Sequence, residues 1–361
     1  METLNSDARY VLCRPRGGFN DQMVQFEFCR RHAARFGRTL IVDFSQGGLR
    51  LPFDEVFVPN DGFGCPVITW SAVVAAALDQ IESVAPAGQA GRISANASNG
   101  HLVLNDVICM QTGELLTFDL KRDHDERLLV HEQYGGGIKS LLVLQRVGLV
   151  PALANDIARR LVKLGSDYDA IHVRHTDLNT DYRHLFMRCR ALMADRDLLI
   201  CSDSAEVKAE AASIFKDGTR LLSAASIPEH GGKTLHFTPY ASERQMVVDM
   251  LSDLLAMARS RRFVFSALRQ KRRGQAAFSG FTLLAESLHQ HPEIVRGLFA
   301  HADADLKRQL FETPRPRRPF SVSRTIAELD SWRWNFAARR ASLHCRLKAT
   351  RDALFGAAYR G

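Results

Sequence analysis

Paired cysteines are missing from this sequence. The seven present, Cys13, Cys29, Cys65, Cys109, Cys189, Cys201 and Cys345, are odd in number, dispersed, and include no C-x-x-C. The single Cys-x-x-His, Cys29 to His32, has no second pair to complete a site, so neither a disulfide framework nor a zinc module is expected. The first residues, Met1 to Arg9, contain no apolar signal core, and no window approaches the roughly 18 uncharged apolar residues of a membrane span. The chain is therefore expected to be made and kept in the cytosol. The body also lacks a charge excess. Although the formal net charge is +8, residues 315–361 carry eleven Lys or Arg against three acids, Glu328, Asp330 and Asp352, which leaves 1–314 close to neutral. A nucleic-acid partner is not expected, because binding along a phosphate backbone calls for a basic stripe on the body.

What is present is apolar content of 46% over 361 residues, enough for two ordinary domains with cores of their own. The run Tyr10-Val11-Leu12-Cys13 reads as a strand. Gly17 and Gly18 then make a turn before a helical pattern from Met23 to Phe36, capped by Gly37, and Thr39 to Phe44 is a second buried strand. Two glycines let backbone approach a ligand, but without a third they are equally a tight strand-to-helix turn. Strands are further expected at Val67–Trp70, His101–Leu104, Leu128–His131, Leu198–Cys201, Arg220–Leu222 and Phe263–Ser266. Helices are expected at Ala72–Ile81, Leu141–Leu164, Ala205–Phe215 and Met246–Ala258, and from Ser279 to His289. Asp249 and Asp253 share a helical face, where an exposed ion pair with Arg244 or other cationic neighbours is the plain alternative to a ligand role. Alternating strands and helices in two sets argue for two α/β domains facing a cleft.

The stretch from Ile171 to Tyr182 stands out. A short apolar strand runs straight into His172, Arg174, His175, Asp177 and Asp181. Open α/β sheets bind ligands outside the carboxyl ends of their strands, and a guanidinium there suits a phosphate through its planar, permanently charged fork. A solvated ion-pair cluster is the competing reading. Ser279-Gly280-Phe281-Thr282 offers a hydroxyl, a glycine and free N–H groups at a positive helix end.

Four of these patches, in order, resemble the NodZ-like fucosyltransferases and the wider α1,6- and protein O-fucosyltransferase superfamily. They are Arg16 to Phe44, His172-Val173-Arg174 with Thr176-Asp177, Leu199 to Asp203, and Asp253 to Ala258 followed by Phe263 and Ser279 to Thr282. The resemblance spans about residues 10 to 290. It implies a GT-B fold with a Rossmann-like acceptor-side domain in 1–150 and a nucleotide-sugar-binding domain in 151–314. It further implies inverting, metal-independent transfer from GDP-fucose with no cofactor. Arg174 would stabilise charge on the departing GDP, and Asp181 or Asp21 would take the acceptor's proton. Gly17, Gly18, Phe19, His172, His175, Asp203, Asp253, Ser279, Gly280, Phe281 and Thr282 would surround the donor. The sequence departs from the pattern at His175, where several relatives carry a second Arg, and Lys271, Arg272 and Arg273 are expected to make up that charge.

Beyond Pro314, Pro316 and Pro319, the apolar residues Leu329, Trp332, Phe336, Leu343, Leu347 and Leu354 recur at helical spacing among arginines. Residues 315–361 therefore read as a basic amphipathic helical tail, either docked on an anionic membrane surface or packed back as a brace. The function expected is sugar transfer to a glycan or lipid-linked acceptor in bacterial surface polysaccharide or glycolipid assembly. The alternative is a non-catalytic nucleotide-sugar-binding or assembly protein at the membrane surface.

Overall fold

A computed structural model describes residues 4–312 except for 96–99, 104–105, 136, 138, 177–179, 194–195, 217, 227–239 and 269–277. Asp177, the three cations at 271–273 and the tail 315–361 lie outside the described residues.

In the first half, β1 (Tyr10–Cys13), β2 (Thr39–Val42), β4 (Val67–Thr69), β5 (Val84–Ala85) and β8 (Leu128–His131) form a five-stranded sheet in the order β4-β2-β1-β8-β5. Every neighbouring pair in it is parallel. Such strands are covered on both faces, so they read as unbroken apolar runs, and β1 and β8 are buried throughout. In the second half, β10 (Tyr168–Val173), β11 (Asp197–Ser202), β12 (Leu221–Leu222) and β13 (Phe263–Phe265) form a parallel sheet in the order β12-β11-β10-β13. These are the two Rossmann-like halves of a GT-B arrangement. The strand order reverses beside β1 in one sheet and beside β10 in the other, and ligands sit at such switch points.

Helix α1 (Phe19–Phe36) begins four residues earlier than its apolar spacing suggests, because Gly18 turns extended at the N-cap and Gly37 closes the helix at φ 64°. The ring of Phe26 sits at the centre of its face, 5.6 Å from both Phe44 and Phe53. The expected single helix over Leu141–Leu164 is instead three elements. They are α4 (Ser140–Leu144), β9 (Val147–Leu149), which pairs antiparallel with β3 (Phe57–Pro59), and α5 (Pro151–Leu164), with Pro151 at its first position. Pro151 starts a helix well but cannot continue one, and Gly148 lets β9 lie against His301, only 2.8 Å from where a Cβ would stand.

One continuous apolar core joins the halves, running from β1, α1 and β2 through α5 to α8 (Glu243–Arg259), α9 (Gly280–Gln290) and α10 (Pro292–Leu298). Two smaller clusters cover the outer faces. The first lies under α3 (Ala72–Leu78), and the second under α6 (Tyr182–Leu192) and α7 (Ala205–Ile214). A Cβ on Gly280 would fall 2.5 Å from Asn20 Nδ2, so the first turns of α9 and α1 abut. Both turns follow carboxyl ends of strands, and those two edges therefore face each other. Asp249 on α8 is buried and paired with Arg160, while Arg244 goes to Asp156 at 2.6 Å. The cationic neighbour of Asp249 is thus Arg160, and the pair is buried on the Asp249 side instead of exposed.

At the end of β8 the His131 imidazole is fully buried between Gln25 Oε1 and Thr117 Oγ1, each at 2.8 Å. Burial pushes it down to about 4, below the ordinary histidine value near 6.5. The unfolded chain therefore binds the proton first, and the stability this neutral ring contributes is complete above about pH 6.5 and lost as pH falls toward 4. At pH 5 the loss amounts to about 2 kcal/mol. Denaturant unfolding of His131→Gln between pH 7.5 and 5 should show a correspondingly flatter pH dependence than wild type. An unchanged slope would refute the assignment.

Candidate active site

The site is built on the two switch-point turns. Behind β1, Gly17 has φ 88°, a conformation that L side chains rarely adopt, and its bare Cα leaves room for two neighbours. A Cβ there would stand 3.0 Å from Asp21 Oδ2 and 3.2 Å from Tyr134 Cδ1. Asp21, in the first turn of α1, is thus held against the glycine turn and beside an aromatic ring. Burial raises its carboxyl above the ordinary range, while the Asn20 amide and the Arg174 charge pull it back. The charge of Arg174, from the second half, is thus felt at Asp21. Phe19 is 3% exposed and belongs to the core, so only its backbone borders the turn.

Behind β10, Asp203 gathers the segment that carries Arg174. Its Oδ1 accepts the His175 backbone N–H at 2.8 Å, its Oδ2 accepts the Thr176 hydroxyl at 2.5 Å, and Arg174 Nε lies 3.1 Å from Oδ2. Arg174 keeps about a quarter of its side chain in solvent, whereas Asp203 is buried. His175 turns away from this point. Its Nδ1 is hydrogen-bonded with Thr180 Oγ1 at 3.1 Å and its ring meets Tyr182 edge-on at 4.7 Å. Asp181 is the N-cap of α6, accepting the His184 backbone N–H at 3.5 Å.

The third wall is the start of α9. Ser279 Oγ accepts the Thr282 backbone N–H at 3.1 Å and lies 2.7 Å from the Thr282 hydroxyl, which also meets His172 Nδ1 at 2.8 Å. Phe281 packs on the His172 ring at 5.8 Å. Burial first, and Arg174 second, push His172 down to about 4 against the pull of Asp203, so the imidazole is neutral at physiological pH. The start of α9, where the N–H groups of a helix's first turn lack partners within the helix, lies against α1 at Asn20.

Deeper in the second half, Asp253 on α8 is pushed up to about 6 by burial, against the Lys208 charge. Its Oδ1 is buried with no hydrogen-bond partner among the described residues. Tyr240 is pushed up to about 12 by burial and by Asp249 and Asp253. Among the described residues, no three His, Cys, Asp or Glu side chains form a cluster that could hold a metal ion.

Arg174, His172, Asp203, Ser279, Gly280, Phe281 and Thr282 thus share one wall, and Gly17, Gly18 and Asp21 stand opposite. His175 and Asp181 are engaged with α6. Four participants escaped the sequence reading: Asn20, Gln22, Tyr134 and the pair Gly47-Gly48. Gln22 is fully buried, donating to the Pro15 carbonyl at 3.3 Å and accepting the Leu49 N–H at 2.8 Å. Gly48 N–H donates to the Gly17 carbonyl at 2.9 Å, so the two glycine pairs lie on each other. The legible signal was the repeat itself, a glycine pair behind each of the first two strands.

No protein-family model matches the chain, and no curated protein sequence matches it. Among solved structures, the fucosyltransferase NodZ from Bradyrhizobium shares the fold, with TM-score 0.51 and 18% identity over 78% of this chain and 94% of that one. NodZ α1,6-fucosyltransferase soaked with GDP-fucose gives 0.49 at 19% identity over 78% and 93%. POFUT1 in complex with GDP-fucose gives 0.42 at 12% identity over 79% and 95%. The first similarity concerns the fold, and the other two are too distant to carry weight.

Asp203→Ala removes the acceptor shared by a backbone N–H, a hydroxyl and a guanidinium. Leaving those partners partly buried and unpaired should cost about 2 to 4 kcal/mol in denaturant unfolding. A change below about 0.5 kcal/mol would show that the turn behind β10 is held by something else.

Proposed function

We propose that this chain is an inverting, metal-independent glycosyltransferase that moves a sugar, fucose on the present reading, from a GDP donor to a hydroxyl of a glycan or lipid-linked acceptor. The observation that carries the proposal is the meeting of the two turns, where Gly280 at the start of α9 comes against Asn20 beside Asp21 while Asp203 holds Arg174 behind β10. The shared fold with a fucosyltransferase and the ordered motifs from Arg16 to Thr282 support it. On this reading residues 1–150 face the acceptor and 151–314 hold the donor.

The donor's diphosphate lies between Arg174 and the N-terminus of α9, where a fixed cation and helix N–H groups both favour anions. Ser279 and Thr282 spend their hydroxyls on each other and on His172, and Ser279 also takes the Thr282 N–H, so they shape this wall and the N–H groups of Gly280 and Phe281 are the ones offered to the phosphates. Asp253 suits guanine, whose N1–H and N2–H donate side by side to a carboxylate. Uracil has a single ring N–H, so the same site discriminates against it. Asp21 takes the proton of the acceptor hydroxyl, whose oxygen attacks the anomeric carbon from the face opposite the leaving group. The bond from that carbon to the phosphate oxygen breaks, and Arg174 stabilises the charge developing on GDP. Asp21 is favoured over Asp181 because burial raises its basicity, while Asp181 is occupied as a helix cap.

Calorimetry should show GDP binding and much weaker UDP binding, with GDP affinity falling as pH drops through about 6, since protonated Asp253 no longer accepts from the base. Equal affinity for UDP would remove the donor assignment. With GDP-fucose, turnover should persist in excess EDTA. Arg174→Ala and Asp21→Asn should each lower kcat by at least about 100-fold, the latter with GDP affinity little changed. Full activity in Asp21→Asn would move the base to Asp181. We assign tail residues 315–361 to an anionic membrane surface. Deleting them should abolish sedimentation with phosphatidylglycerol vesicles and leave GDP binding intact, whereas loss of folding would make the tail a brace instead.

A further inference from the structure

Three strands of the first sheet deliver a linked set of side chains to its carboxyl edge. Arg14 follows β1, Asp43 follows β2 and Trp70 follows β4. The Arg14 guanidinium is fully buried, with Nε 3.0 Å from Asp43 Oδ2 and Nη2 2.9 Å from the Ile93 carbonyl. Its Cζ lies over the Trp70 ring, 4.4 Å from the ring centre, so the indole is seated on a cation fixed from two sides. Desolvation makes a buried ion pair a poor source of stability, and what this one secures is the position of an aromatic ring.

The ring itself is only half-buried. Its backbone N–H donates to the Val42 carbonyl at 3.0 Å, continuing the pairing of β4, and the next residue, Ser71, caps α3 by accepting the Val74 N–H at 3.2 Å. Backbone and ring are therefore both held while part of the indole stays at the surface. Between Trp70 and the glycine turn the edge is polar. Ser45 is exposed, with its hydroxyl donating to Asp43 Oδ1 at 2.6 Å. Gln46 donates to Ser45 Oγ at 3.4 Å and accepts from Arg16 Nη1 at 3.2 Å, and Gly47 bridges to Gly17. The ends of β4 and β1, two strands apart in the sheet, are about 10 Å from each other by strand spacing.

We infer that Trp70 is a platform for a sugar ring of the acceptor, set back from the reacting ring at Asp21, so that the acceptor is an oligosaccharide and not a single sugar. The inference rests on the glycosyl transfer proposed above. A sugar ring has a face of C–H groups that packs on an aromatic ring and a rim of hydroxyls that needs polar partners, and this edge offers the first at Trp70 and the second at Ser45 and Gln46. One ring is too short to reach from Trp70 to Asp21, whereas a short chain of sugars spans them along Ser45 and Gln46. Because Arg14 already fixes the indole, little side-chain freedom is lost when a sugar settles on it.

The body has no other tryptophan, since Trp332 and Trp334 belong to the tail. The full chain carrying Trp332→Phe and Trp334→Phe, with GDP bound, is titrated with glucose, mannose and N-acetylglucosamine series from mono- to tetrasaccharide. Trp70 fluorescence should change saturably with the longer members of at least one series and stay constant with monosaccharides. In calorimetry on the chain with its own tail, Trp70→Ala should weaken that oligosaccharide at least about tenfold, and Trp70→Phe should recover part of the affinity because a ring is kept. No saturable change with any oligosaccharide, or equal affinity in Trp70→Ala, overturns the inference. Should Trp70→Ala fail to fold, the fluorescence result and Trp70→Phe decide. GDP binding by the wild-type chain separates this failure from that of the proposed transfer, because a chain that binds no GDP overturns both.

Discussion

The carboxylate of Asp203 fixes the chemistry of the second half. Parallel strands deliver chain ends to a common edge with their backbone groups unpaired, and whatever follows must be tied down to serve as a site. By taking the His175 N–H, the Thr176 hydroxyl and the Arg174 guanidinium together, Asp203 ties down the one segment whose position decides where positive charge stands in the seam. The same interaction moderates that charge. A guanidinium fully exposed to Asp21 would hold the carboxyl down, and one partly neutralised by Asp203 does so less. Burial is what raises Asp21, and the Asn20 amide and then Arg174 pull it back, so the hold of Asp203 on Arg174 bears on the smaller side of that balance.

Much of the fold was legible because parallel strands must be apolar on both faces. The runs at Tyr10, Thr39, Leu128, Leu198 and Phe263 all proved to be strands. The reading failed where one signal served two purposes. Apolar periodicity across Leu141–Leu164 was taken as one helix, although Gly148 and Pro151 mark the breaks. At Asp181 the pattern of an acid ahead of a helical run describes a cap as well as a base, and the structure shows the cap. Helix α6 itself went unread because its polar first turn merged with the charged cluster before it. The placement of Tyr134 was unreadable for another reason: it depends on long-range packing onto Gly17, which no local spacing encodes.

The continuous core has a consequence for how such a site works. Apolar contact runs unbroken from β1 through α1 to α8 and α9, and Asn20, against which Gly280 packs, is fixed by donating to the Gly137 carbonyl at 3.3 Å and accepting from Ser140 at 2.7 Å. Packed interiors deform little, so separating the halves would expose much of that surface to water.

Burial also sorts the titratable groups by task. It keeps the His172 imidazole neutral, so that it serves Thr282 as a hydrogen-bond partner without adding charge, and it raises Asp21 and Asp253, which makes both better proton acceptors than free carboxylates. On the proposed reaction the two carboxylates then diverge. Asp253 would receive fixed donors from the base and become more firmly ionised. Asp21 faces an arginine whose charge is about to be claimed by a diphosphate, so donor binding removes much of the attraction that lowers its proton affinity. Its basicity should therefore rise when the sugar arrives and subside when GDP leaves. An acceptor hydroxyl would meet its strongest base only beside an occupied donor site, which restricts proton removal to the complex in which transfer can follow.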